Sequence, residues 1–184
     1  MESPMSANVR NYAFLPGLIL LVAVLSGCAS APSDDALISE SRSALATFID
    51  KDPGLQRWVD QAYGYAVFPN IGKGGFWVGG GFGRGIVFEE GRPVGRASAS
   101  QATIGPQIGA QSYSQVIFFR DEAALRRFQR ESFEFSAQAT AVAATEGRSA
   151  TTSYERGVAV FNHARGGLMA EASVGGQKFR YWSL

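Results

Sequence analysis

The sequence predicts an α+β domain: a curved, mainly antiparallel sheet, barrel-like if it closes, with an N-terminal helix and one further helix packed on it. Three observations predict it. Apolar residues recur clearly at helical spacing in few places and at period two along much of the rest of the chain. The strand-like segments are separated by short, hairpin-like stretches rather than by the longer crossovers of βαβ units. Glycine is abundant, 22 of 184 residues, in a chain also rich in aromatics. Disordered chains lack that combination, so the glycines need structural places.

At the N-terminus, residues 1–11 are polar with one arginine, Arg10, and residues 14–25 form an apolar run. About a dozen residues fall short of the roughly 20 that cross a bilayer. The run fits the core of a secretory signal. Leu25-Ser26-Gly27-Cys28 follows directly and resembles the lipobox of bacterial lipoproteins, in which small residues enter a signal peptidase cleft and the thiol takes a diacylglyceryl group. The expected organisation is a signal peptide over 1–27, a lipidated tether over 28–34 that begins at acylated Cys28, and one domain over 35–184. Ala29 follows the cysteine in place of the Asp that, by resemblance to enterobacterial lipoproteins, implies the inner membrane, so the expected location is the outer membrane, facing the periplasm or the cell surface. Cys28 is the only cysteine, so the acylated chain has no thiol left for a disulfide.

Asp34 or Asp35 can cap the first helix. Leu37, Ile38, Ser41, Leu45, Phe48 and Ile49 give its apolar face, and Asp52-Pro53-Gly54 ends it. Residues 55–61 add an amphipathic turn or two through Leu55, Trp58 and Val59. Strands are expected at 65–68, closed by Pro69-Asn70, and at 74–88, followed by a turn over 89–93. Further strands are expected at 94–99, 103–111 and 115–120. Asp121 can cap a second helix running through Arg130. The alanine-rich stretch 136–148 is helix or loop. Strands at 158–162, 167–174 and 179–182 complete the chain, with Gly175-Gly176 as a hairpin turn between the last two.

The segment Gly75-Phe76-Trp77-Val78-Gly79-Gly80-Gly81-Phe82-Gly83-Arg84-Gly85 invites a phosphate-loop reading. The spacing rejects it. No glycine pair at i and i+2 is followed by Gly at i+5, Gly72-Lys73 is followed by Gly74 rather than Ser or Thr, and the chain continues as a strand instead of opening a helix. Period two fits better. Gly79, Gly81, Gly83 and Gly85 share one face, while Phe76, Val78, Phe82, Arg84, Ile86 and Phe88 share the other. Four strand glycines in phase cost on the order of 2–4 kcal/mol relative to alanine. That face therefore requires a close neighbour: a helix, a strand or a lipid. A milder version recurs where Thr103, Gly105, Gln107, Gly109 and Gln111 alternate with Ile104, Pro106 and Ile108.

These residues also carry a resemblance. Residues 62–76, AYGYAVFPNIGKGGF, are similar to the signature of the SYLF domain family. The resemblance continues through Gly79–Gly85, through Ile104-Gly105-Pro106-Gln107-Ile108-Gly109-Ala110-Gln111, and into residues 166–176. Gly166 stands where the family carries lysine. The resemblance implies membrane-lipid binding, to phosphoinositides in eukaryotic members, with actin binding in some yeast members. For a bacterial surface lipoprotein it implies a general preference for anionic headgroups, with an actin partner unlikely.

The remaining chemistry is sparse. His163 is the only histidine, whereas zinc sites need three or four clustered ligands. Without a second histidine or a free cysteine, the common Ser-His and Cys-His pairs have almost no candidates. The formal net charge of +1 does not announce a nucleic-acid partner. Lys73, Arg84, Arg92 and Arg96 gather around the glycine strand and its turn and are the candidate headgroup ligands. Arg120, Arg126, Arg127 and Arg130 accompany the second helix among Glu122, Glu131 and Glu134, which reads as a solvated face. The expected function is a non-enzymatic, lipid-anchored envelope protein that contacts membrane lipid, with no metal or cofactor. The alternative is a structural or protein-interaction lipoprotein whose domain binds no lipid.

Overall fold

Helix α1, Asp34–Lys51, starts at Ser33, whose Oγ accepts a hydrogen bond from the Ala36 amide at 3.3 Å. Asp34 and Asp35, the expected caps, sit instead in the first turn, where their charge complements the helix dipole. The structure is a computed structural model describing residues 33–130, 133–135, 142–143, 148–171 and 174–184. The signal segment and Cys28 lie outside the described residues. Helix α1 buries Leu37, Ser41, Ala44, Leu45 and Phe48, and helix α2, Leu55–Gln61, buries Leu55 and Trp58.

Two long strands dominate. β1 runs Gly64–Glu89 and β2 runs Arg92–Phe119, paired antiparallel from Gly64 opposite Phe119 to Glu89 opposite Arg92. Five shorter strands were expected here. Pro69 does not end β1, because a register shift between Phe68 and Ile71 absorbs it. Its carbonyl accepts from Ser114 Oγ at 2.8 Å and from Arg165 Nη1 at 2.6 Å. β2 likewise runs on through residues 100–102 and 112–114, which lay between expected strands; within it Gly105 takes a φ of 139°. The connecting residues Glu90 and Gly91 both have positive φ, 50° and 76°, the requirement of a type I′ hairpin turn.

Helix α3, Glu122–Gln129, starts at Asp121 as expected, with Oδ1 accepting from the Ala124 amide at 2.9 Å. Then follow β3 (Phe133–Phe135), β4 (Val142–Ala143), α4 (Arg148–Thr151), β5 (Val158–Glu171) and β6 (Val174–Ser183). β5 merges two expected strands. Gly175 and Gly176 are not a turn but lie within β6, opposite Thr103 and Ala102. The sheet order is β3-β6-β2-β5-β4, with β1 also on β2, and all pairs except β4–β5 are antiparallel. The N-terminal half of β2 thus carries β6 on its second edge, and the C-terminal half carries β5. The result is the α+β class, with a curved sheet whose hydrogen-bonded path stays open among the described residues.

Two apolar clusters hold this arrangement. One lies under α1 and α2 and joins Leu37, Phe48 and Trp58 to Tyr65, Val67, Ile86, Phe88, Phe118 and Phe161. The other joins Phe68, Ile71, Val87, Ile117, Phe119 and Phe179 to Leu125 and Phe128 of α3. A buried polar clamp secures the α1–α2 corner: Asp52 accepts from the Ser149 amide at 2.7 Å and from Ser149 Oγ at 2.9 Å. Ser33–Leu184 is one compact unit, and both clusters lie wholly within it, so it contains what it needs to fold by itself.

Candidate functional site

The close neighbour of the glycine face is the first arm of the same strand. A Cβ on Gly85 would collide with the Val67 carbonyl and lie 2.7 Å from Phe68. On Gly83 it would lie 2.7 Å from the Asn70 carbonyl, and on Gly81 3.1 Å from that of Gly72. Gly75 in turn meets Val78 and Gly79. As one partner advances the other retreats, so the two arms of β1 fold back on each other about Trp77. Trp77 itself takes a φ of 60°, which is strained for a bulky side chain. Gly79, past this seam, faces Gln107 and Thr103 of β2. Glycine is required at these positions because side chains would hold the arms apart.

Folding back creates a tip, where β1 turns at Trp77 and β2 bends near Gly105. There the usual polarity of a sheet inverts. Phe76 is 66% exposed and sits opposite Ile108, 60% exposed; Val78 and Ile104 are each 67% exposed and also face one another. Trp77 and Phe82 are exposed as well. The polar side chains lie inside. Gln107 is 4% exposed; its Nε2 donates to the Trp77 carbonyl at 3.3 Å, and its Oε1 accepts from Thr103 Oγ1 at 2.8 Å. Behind them Tyr113 donates to Gln101, and Gln115 Nε2 donates to Asn162 and Gln177. Single exposed apolar residues are ordinary, but a contiguous patch marks an interaction site. A shallow hollow of about 810 Å³ adjoins the tip, lined by Gly72, Lys73, Gly80, Phe82, Gln111 and Gly167 among others.

The structure does not gather the four candidate cations. Lys73 and Arg84 flank the tip on the two arms of β1. Arg84 is exposed, with its guanidinium carbon 5.9 Å from the Phe82 ring centroid. Arg92 lies at the far end, by the hairpin turn, 3.2 Å from Glu90, and Arg96 is 3.2 Å from Asp34. Across the sheet, Arg84, Ser98 and Arg180 form one row, so Arg180 joins the outer face without having been foreseen. Around α3, Arg120 pairs with Asp121, and Arg126 with Glu122 and Glu89. Tyr63 donates to Glu89 at 2.7 Å, and that bond raises its phenol pKa. His163 sets its ring edge-on to Phe48 with centroids 6.1 Å apart. Among the described residues no group of three or more His, Cys, Asp or Glu side chains could hold a metal.

Sequence reasoning placed Phe76, Val78 and Phe82 on a bulky face without recognising that face as exposed, and it passed over Ile104 and Ile108. The usable signal was phase. Thr103, Gln107 and Gln111 alternate with Ile104 and Ile108, and the two sets cannot both face a core.

The class defined here is an α+β domain built on one folded-back hairpin of long strands. Residues 100–181 match the Ysc84 family, described as Las17-binding protein actin regulator. Beta cell expansion factor A of Aeromonas veronii is 29% identical over 150 residues, which cover 80% of this chain and 56% of that protein. Both matches agree with the SYLF-family resemblance carried by residues 62–76. It spans little more than half the length of this curated relative.

Proposed function

We propose that the domain binds membrane lipid without catalysis, at the tip of the β1–β2 hairpin, on a chain held at the outer membrane by acylated Cys28. The observation that carries this reading is the exposed patch of Phe76, Trp77, Val78, Ile104 and Ile108 between Lys73 and Arg84. Apolar side chains left in water gain on meeting an apolar phase, by about 1.5–3 kcal/mol for each one fully transferred. Cations at the margin gain about 1 kcal/mol each near an anionic surface. Arg92 and Arg96 contribute less, since they lie toward the Glu90-Gly91 turn, away from the tip. An exposed patch also suits a protein partner, and the family description names an actin regulator. The paired cations at the margin favour lipid.

Flotation of residues 29–184, which lack the acyl anchor, tests this. The domain should float with vesicles containing phosphatidylglycerol, lose that binding as salt rises, and lose it at low salt in Lys73→Glu/Arg84→Glu. Absence from both anionic and neutral vesicles at low salt rejects lipid binding and leaves the protein-partner reading.

A further inference from the structure

We propose that the tip does more than rest on headgroups: it wedges into the acyl-chain region of one leaflet, with Trp77 foremost, Lys73 stopping it at the interface and Arg84 farther back on the other arm. This rests on the lipid-binding reading above and specifies its mode. Three observations carry it.

The first is the inverted polarity. A sheet end meant for water turns polar side chains outward, whereas Phe76, Val78, Ile104 and Ile108 face out and Thr103 and Gln107 are buried, bonded to each other and to the Trp77 carbonyl. Apolar-out and polar-in is the alternation of strands that face lipid. The second is backbone pairing. Phe76 pairs with Ile108 and Val78 with Ile104, and at the register shift between them the Trp77 carbonyl accepts from Gln107 Nε2; hydrocarbon tolerates strands only when their amides and carbonyls are satisfied within the protein. The third is the charge boundary. No Asp, Glu, Lys or Arg occurs in residues 74–83 or 97–119, and the first charges back from the tip on β1 are Lys73 and Arg84.

That boundary also limits depth. Trp77 leads Lys73 by four residues, about 13 Å at strand rise. The hydrocarbon core is about 30 Å thick, so the tip stays within one leaflet.

The test uses residues 29–184 on phosphatidylcholine–phosphatidylglycerol vesicles whose acyl chains are brominated near either the headgroup or the methyl end. Tryptophan emission is compared for the native sequence and Trp77→Phe. Quenching that reaches the methyl-end bromines and is mostly lost in Trp77→Phe supports the wedge; quenching by the headgroup-end bromines alone overturns it and leaves headgroup binding standing. Ile104→Ser, a change at an exposed site, should weaken the quenching while circular dichroism is unchanged. Flotation of the same samples separates two failures. Protein that floats without Trp77-dependent quenching overturns the wedge and leaves headgroup binding standing. Protein that does not float overturns both.

Discussion

The two ends of the β1–β2 hairpin use the same alternation for opposite purposes. Near the Glu90-Gly91 turn, both faces of β1 are buried: Ile86 and Phe88 lie under the helices, while Val87 packs with Phe68 and Phe179. At the other end the helices are gone, and the residues in phase with Ile86 and Phe88 are exposed Phe82, Val78 and Phe76. The facing set changes too, from Ala97 and Ala99 to Thr103 and Gln107. A strand pattern therefore does not by itself say which side is the core. What covers each face decides, and helices α1 and α2 are too short a roof to reach the tip.

The largest expected effect tests the seam that creates the tip. Gly85→Val would drive a side chain into the Val67 carbonyl and the Phe68 ring. Because a backbone atom cannot step aside, a loss exceeding about 4 kcal/mol is expected, read as missing folded protein in a denaturant titration. A mild loss would mean that the arms can separate.

One residue type separates the two ends most directly. Phe68→Ala empties a fully buried site and should cost about 3–5 kcal/mol in unfolding free energy. Phe76→Ala, at the exposed tip, should stay within about 0.5 kcal/mol yet weaken vesicle binding. Equal destabilisation by the two would abolish the contrast.

The smallest effect is a pH dependence far from the tip. The Ala124 amide, and then Arg120, hold the Asp121 carboxyl below its ordinary pKa. A carboxylate lowered by folding stabilises above its unfolded pKa, and that contribution disappears as pH falls through the folded value. The difference in melting temperature between the native protein and Asp121→Ala should be full at neutral pH and shrink in acid. A difference that persists unchanged at the lowest pH would assign the effect to something other than the ionised cap.

Much of the architecture was legible in the residues. The apolar spacing of Leu37, Leu45 and Phe48 located the first helix, Asp121 located the start of the later one, and the in-phase glycines required a close contact. Strand lengths were not legible. Pro69 looks like punctuation, and only the cross-strand partners reveal that a register shift absorbs it. Nor was the neighbour of the glycine face, because a strand folding back on itself leaves no spacing signal beyond the glycines. The tip was missed for a related reason: apolar residues at period two are read as core by default, and exposure is a property of the surroundings.

The Glu90-Gly91 turn has a further consequence, for the order of folding. It starts the β1–β2 pairing at adjacent residues, Glu89 with Arg92, and each later pair, out to Gly64 with Phe119, closes a slightly longer loop. Loop-closure entropy rises only slowly along such a series. β6, by contrast, meets β2 only across a long stretch of chain: even their nearest pair, Val174 with Ile104, is far apart in sequence. Contacts that distant in sequence make folding slower. The hairpin that presents the tip is thus the local, early-forming half of the domain, and the strand that completes the outer basic row arrives last.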